Sequence, residues 1–378
     1  MSSAVVEPAP STVASRTLRV SVGVMAHNEE RVIADTLRSL AGQSLFGSPD
    51  RYRVEVVVVA NGCTDRTVAA AEAVFAERED LFGEAELTVV DVERAGLANA
   101  WNTFIHEYSD PSADHLVVMA ADIVFLDART LQSMVDVLVT DAAVHATVDR
   151  RVKDVAVAGS RSLRDRVSVL ASGLSAAPRG EPGDPAWISG QLVCLRATAA
   201  RAVHFPTSLP TDDCYLYRML VTDQLTHEPR PGAVVLAPDA AHAFEAYTDV
   251  SRLLRHEQWL IFGDTVVDIL DGHLRAERSR TGLSCGEIVA GWNAQDPEWL
   301  NGLLARHVAE SGRRRFVARE LYTRRLRSLS SRSLPRRVLL APVALAAAAV
   351  DAWCASRVDR KLRTDAADFR SGGWGKGA

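Results

Sequence analysis

The chain has no apolar run of the roughly 20 residues that a bilayer-spanning helix needs. Its most continuous one, Val338 to Val350, is closed by Asp351. Its five cysteines, at 63, 194, 214, 285 and 354, include no pair at the close spacing of a zinc ligand set. An odd, dispersed set reads as reduced thiols, so the expected compartment is the cytosol. The start, Met1-Ser2-Ser3 with Ala, Pro and Ser abundant to about residue 15, lacks the basic and apolar segments of a signal peptide. No internal repeat is visible, and a net charge of −5 gives no overall reason to expect nucleic acid as a partner.

What is there suffices for a large core. The 378 residues are 47% hydrophobic, which fits one large domain with an elaboration, or two domains. Leu18 to Met25 alternates Val20, Val22 and Val24 as a strand does, and Glu29 to Ala41 places Ile33, Leu37 and Leu40 on one helical face. Arg53 to Val59 is nearly all Val, the mark of a central parallel strand buried on both faces. Asp65 to Arg78 reads as a helix capped by Thr64, Leu87 to Val90 as a third strand, and Gly96 to Tyr108 as a helix. His115 to Met119 is a fourth strand, followed by a helix that Asp127 caps. Further strands are expected at Val155 to Ala158, Ile188 to Leu195 and Ala233 to Ala237, with a flexible loop over 171–186 and a helix over Asp212 to Leu220. From about Tyr247 the pattern is mostly helical. Strands alternating with helices in this way predict βαβ units and an α/β fold around a mostly parallel sheet.

The polar residues recur where strands end. Ala26-His27-Asn28-Glu29-Glu30 follows the first strand, Ala60-Asn61-Gly62-Cys63-Thr64-Asp65 the second, Arg94-Ala95-Gly96-Leu97 the third and Ala120-Ala121-Asp122 the fourth; Thr211-Asp212-Asp213 comes later. Open α/β sheets bind ligands at the carboxyl ends of their strands, so this series predicts a nucleotide site with a catalytic carboxylate. Asn28 is read either as a ligand or as a helix cap, and Asn61-Gly62 is a turn signal whatever it binds. Gly62 and Gly96 would allow close backbone approach to a ligand.

These loops resemble, in order, the motifs of the inverting family 2 glycosyltransferases of the GT-A fold, over roughly residues 18–260. The family's Pro-x-Tyr-Asn-Glu is matched by Ala26-His27-Asn28-Glu29, its Asp-Asp-Gly-Ser-Thr-Asp by residues 60–65, and its Gly-x-x-x-Ala-x-Asn by Gly96 to Asn102. Its Asp-x-Asp is matched by Ala120-Ala121-Asp122, its Ser-Gly-x-x-x-x-x-Arg by Ser189-Gly190 through Arg196, and its Glu-Asp by Asp212-Asp213. The resemblance implies a nucleoside-diphosphate sugar donor held by Ala26, His27, Asn28, Glu29, Asn61, Asp65, Gly96, Asn102, Ala121 and Asp122. It implies Asp213 as the general base toward a hydroxyl acceptor, Asp212 as its rival and Gly190 beside them. It also implies a divalent cation, Mg²⁺ or Mn²⁺, on Asp122, with His242 completing the site by its position after the Ala233 strand, in a short loop Ala240 to Ala243. Trp187 is placed to stack on a sugar ring or simply to pack.

Three departures matter. Ala60 and Ala120 stand where the family often has carboxylates. Arg255-His256-Glu257-Gln258-Trp259 stands where processive synthases carry Gln-x-x-Arg-Trp, which argues for single-sugar transfer rather than polymer synthesis. The missing acids leave a catalytically degenerate nucleotide-binding module as the alternative. Nucleotidyl transfer ranks lower, because the loop after strand one is neither Gly-rich nor basic. The organisation expected is a tail over 1–17, a GT-A domain over 18–246, a helical region over 247–330 and an apolar helix with tail over 331–378. Residues 313–337 carry Arg313, Arg314, Arg315, Arg319, Arg324, Arg325, Arg327, Arg332, Arg336 and Arg337 against Glu320 alone. Beside the apolar run, this segment is read either as a solvated basic face or as an anchor to the inner face of a membrane through residues 313–350.

Overall fold

In the computed structural model of the chain, the residues described are 16–77, 81–153, 181–244, 250–313, 315–319 and 334–364. Eight strands form one sheet: β1 (Leu18–Ala26), β2 (Tyr52–Asn61), β3 (Glu86–Val92), β4 (His115–Ala120), β5 (Ile123–Phe125), β6 (Ala146–Lys153), β7 (Leu192–Arg196) and β8 (Val234–Phe244). Their order is β3-β2-β1-β4-β7-β6-β8-β5. The first four are parallel, with Val24 opposite both Val58 and Met119. β7 runs antiparallel to β4 and β6, β6 runs parallel to β8, and β5 antiparallel to β8. This mixed sheet flanked by helices, with a helical C-terminal region, bears out the expected α/β fold.

Strand pleating explains the two cores. Val20, Val22 and Val24 point to one face, under Leu37 of α1 (Ile33–Ala41), Val74 of α2 (Thr67–Ala76) and Leu138 of α4 (Thr130–Thr140). Val57 and Val59 point to the other, under α3 (Leu97–Asn102), the short α5 (Ala197–Arg201) and α6 (Asp213–Val221). Trp101 of α3 stacks on Phe205 with ring centroids 4.6 Å apart. α3 runs on as a π-helical turn to Tyr108, closed by Ser109 N–H donating to the Phe104 carbonyl at 2.8 Å. The second face is completed by α7 (Val250–Thr281), α8 (Cys285–Gln295), α9 (Trp299–Ser311) and α10 (Leu334–Thr364). α8 begins in a reciprocal cap between Ser284 and Glu287, and α10 lies along α7 through Cys354, Ala355, Val358 and Leu362.

Several local expectations are corrected. The strand over Ala146–Lys153 was not foreseen, and the one expected at Val155 to Ala158 lies outside the described residues, as does the loop over 171–180. The Ala233 strand continues to Phe244, so His242 lies in a strand, not in a loop. Backbone pairing carries it on: its Cα is opposite Arg151 on β6 and Phe125 on β5. Thr64 does not cap α2; Asp65 accepts the Thr67 amide at 3.0 Å instead. Asp127 accepts the Arg129 amide at 2.7 Å, one turn before α4 rather than at its cap. Of the arginine-rich segment, residue 314 and residues 320–333 lie outside the described residues. Among the described residues no helix is long and apolar enough to cross a membrane.

Candidate active site

The first two loops lock together before any ligand is considered. Asn28 takes a left-handed φ of 57° and its Oδ1 accepts the Thr64 amide at 2.7 Å, so it does not cap α1. His27 Nδ1 lies 2.7 Å from the Asn61 carbonyl. Asn61 is buried; its Nδ2 donates to the Ala26 carbonyl at 2.8 Å and its Oδ1 accepts the Gly96 amide at 2.9 Å. One side chain thereby sets the spacing of the loops after β1, β2 and β3. Asp65 accepts from the Glu30 amide at 3.1 Å, and Glu29 N–H donates to the Thr67 hydroxyl at 2.8 Å. Burial raises the Asp65 pKa, but the hydrogen bonds from Thr67 and from the two amides outweigh it and hold the carboxyl below its usual range. Gly62, at φ 60°, abuts Ala95 so closely that a Cβ would stand 2.5 Å from the Ala95 methyl. It serves the turn. Asn102 is also committed: its carboxamide donates to the Phe205 carbonyl and accepts the Phe205 amide, at 2.8 and 2.9 Å.

Asp122 differs from all of these. It is half-buried just past β4, between buried Ala121 and Ile123, and its carboxylate has no hydrogen bond or ion pair with a described residue. The loop beneath it is fixed from two sides: Ala121 N–H donates to the Met25 carbonyl at 3.1 Å, and the Thr36 hydroxyl donates to the Ala121 carbonyl at 2.8 Å.

Across the sheet, the segment entering β7 gathers the other groups. Ala120 N–H donates to the Gln191 carbonyl at 2.8 Å, and the Gln191 side chain lies 3.4 Å from His242 Nε2. The adjacent Gly190, at φ 67°, faces the Asp212 carboxylate and the Asp213 Cβ; a Cβ on it would stand 3.5 Å from both Asp212 oxygens and 3.8 Å from the latter. His242, Asp212 and Asp213 thus lie against residues 190–191, and Ala120, two residues before Asp122, is bonded to the same segment.

Asp213 opens α6. Burial raises its pKa, and the Cys214 amide (2.8 Å), Arg151 and His256 oppose this without cancelling it. Arg151 on β6 shows the converse: desolvation lowers its pKa while Asp213 and Asp149 raise it. α6 is held in place by Arg218, which donates to Asp271 at 2.8 Å and to Asp268 at 2.9 Å on α7. Trp187 projects from the same entry segment, 55% exposed, its ring centroid 4.0 Å from that of Tyr217. Tyr217 is four residues after Asp213, hence on the same helical face.

Sequence reading missed Asp149, Arg151, Gln191, Tyr217 and His256. Asp149 pairs with His242, Nδ1 to Oδ2 at 2.7 Å, with both side chains sealed from solvent. The signal was present in Ala146–Lys153, whose apolar Ala146 and Val148 alternate with polar residues. The pairing of β6 with β8 is irregular at this point: between Val148–Leu236 and Arg150–Ala241, Ala237 to Ala240 stand against Asp149 alone.

Among the described residues no three His, Cys, Asp or Glu side chains converge as a cation site. The Asp122 carboxylate is a hard oxygen donor, which fits a cation sharing its shell with phosphate oxygens and water. His242 has both ring nitrogens engaged, by Asp149 and by Gln191.

Residues 21–179 match the family described as Glycosyl transferase family 2. No curated protein is matched at significant similarity. Among solved structures the chain is similar to mannosyltransferase PcManGT from Pyrobaculum calidifontis in complex with GDP-Man and Mn²⁺, at 22% identity and TM-score 0.46, over 92% of this chain and 86% of that one. It is similar to glucosyl-3-phosphoglycerate synthase from Mycobacterium tuberculosis in complex with Mg²⁺ and UDP, at 16% identity and TM-score 0.45, over 68% and 80%. It is also similar to S. aureus TarS 1–349, at 15% identity and TM-score 0.44, over 92% and 91%.

Proposed function

We propose that the chain, residues 21–179 of which match the family 2 glycosyltransferases, moves a single sugar from a nucleoside-diphosphate sugar to a hydroxyl acceptor with inversion. The observation that carries this reading is Asp213, a carboxylate whose pKa burial raises, beside Gly190, with the strand that leads to the unpartnered Asp122 bonded to the adjoining Gln191 through Ala120.

In the proposed reaction the acceptor oxygen attacks the anomeric carbon as Asp213 takes its proton, and the nucleoside diphosphate leaves from the opposite face. A buried base with a raised pKa accepts a proton more readily than an ordinary carboxylate. A divalent cation on Asp122 would supply neutralisation of the departing diphosphate. His242, with Nδ1 held by Asp149 and Nε2 by Gln191, is assigned to orienting the Gln191 segment; to reach the cation as well, its Nε2 would have to give up Gln191. The loops of residues 26–30, 61–65 and 96–102 form the donor side, with Asn61 and Asn102 shaping it from behind. Trp187 and Tyr217 form the acceptor side, where an aromatic pair offers a flat face to a sugar ring. Ala60 and Ala120 cannot read a base or hold a metal, so specificity is assigned to the remaining polar groups. The free state of all five cysteines fits a cytoplasmic setting.

The test is release of nucleoside diphosphate from UDP-, GDP-, CDP- and dTDP-sugars, with and without glycan, lipid-linked or small hydroxyl acceptors. Turnover of one donor that is lost in Asp213→Asn supports the reading. Failure of every donor despite nucleotide binding would make the chain a nucleotide-binding module.

A further inference from the structure

We propose that one face of α10 docks the protein onto an anionic lipid bilayer. Its inner half is ordinary: Asp351, Cys354, Ala355, Val358, Asp359 and Leu362 are buried, and Asp359 accepts the Phe316 and Val317 amides at 2.6 and 3.1 Å. The preceding stretch is not. None of residues 341, 342 and 344–350 is buried, and all of them are apolar. Leu345 is 59% and Val350 40% exposed. Ala341, Ala344, Ala347 and Ala348 are half-buried, while Pro342, Leu345, Ala346, Ala349 and Val350 stand exposed, more apolar surface than a water-facing helix side carries.

The exposed positions form a single stripe, because Leu345, Ala349, Trp353, Arg357 and Arg360 recur at three- or four-residue steps. Its first part is wholly apolar. Trp353, 45% exposed, stands at the junction with the Arg357 guanidinium 5.1 Å from its ring centroid, and Arg360 and Arg363 follow. The two acids of the helix, Asp351 and Asp359, are on the buried side, so the stripe carries charge of one sign. Apolar surface for the acyl boundary, an aromatic ring at the headgroup level and arginines beyond it are the layers of an interfacial helix. A second protein copy would gain from the apolar part but would meet its own arginines. This charge pattern therefore selects an anionic surface. The contact lies further along the chain than residues 313–350 alone, and it does not depend on the transferase reading, since it is measured without substrate.

The experiment is co-sedimentation of the full chain with vesicles of phosphatidylcholine alone or containing phosphatidylglycerol, alongside light scattering for oligomeric state. We expect binding only to the anionic vesicles, falling as salt rises. Arg357→Gln/Arg360→Gln should weaken it about tenfold or more, and Leu345→Glu/Val350→Glu should abolish it, with melting temperature unchanged in both. Absence of binding to anionic vesicles, or binding that the four substitutions leave intact, overturns the proposal. So does a dimer that Leu345→Glu/Val350→Glu dissociates while vesicle binding is missing.

Discussion

His242 Nδ1 and Asp149 Oδ2 meet at 2.7 Å in a place neither side chain shares with solvent, and Asp149 Oδ1 is buried there with no hydrogen-bond partner among the described residues. Removing one member leaves the other buried and polar, which costs more than the pair contributes. We predict that Asp149→Ala and His242→Ala each lower stability by about 3 kcal/mol in denaturant titrations. The double variant should lose clearly less than the sum of the two. Additive losses would show that the two side chains do not act as a unit.

Asp213→Asn separates catalysis from stability. The carboxylate is destabilised by its burial, so at neutral pH the amide should fold at least as stably while turnover falls about a thousandfold or more. In the parent, the raised pKa moves the acidic limb of the kcat/KM profile above 3.8, the ordinary carboxylate value. An acidic limb at or below 3.8, with full activity in Asp213→Asn, would assign the base elsewhere.

Gly263 tests how α7 positions the base. In an open helix, Gly→Ala gains about 1 kcal/mol. Here the added Cβ would stand 2.0 Å from Thr211 Oγ1, two residues before Asp213. The clash outweighs the propensity, so Gly263→Ala should lower both melting temperature and kcat. A stabilised, fully active variant would mean that the Thr211 segment yields freely.

Stability should also depend on pH through His106 and His115. Burial, with His204 adding to it for His106, pulls each imidazole pKa down to about 4 from 6.5. Between those values the unfolded chain binds the extra protons and the folded one does not. Stability is therefore complete above about 6.5 and is lost as pH falls toward 4. The denaturation midpoint should follow that course, less steeply in His106→Phe. A midpoint that rises on acidification would contradict it.

The parallel half of the sheet was legible because its strands are Val-rich and its loops polar, so periodicity and punctuation agree from Leu18 to Met119. Asp122 stood out as a carboxylate following an apolar strand, and Asp213 through the resemblance of Asp212-Asp213 to the family's Glu-Asp. The antiparallel half was not. β6 carries Asp149, Arg150 and Arg151 in succession, a polar run that gives no sign of the burial of Asp149 beside Val148. His242 was read as a loop residue because Pro238, Asp239 and Ala240 interrupt its strand; Asp239 takes a φ of 53° there, and pairing resumes at Ala241. Asn61 and Asn102 were read as ligands because polar residues in donor loops are. Their commitment to Gly96 and Phe205 arises from tertiary contacts that no local pattern encodes.

A cation-assisted donor site at Asp122 is open to calorimetric titration with UDP, GDP, CDP and dTDP, each with Mn²⁺ and with EDTA. One nucleotide should bind with Mn²⁺, and EDTA or Asp122→Ala should weaken it about tenfold or more. Nucleotide binding indifferent to both, or no binding at all, would contradict it.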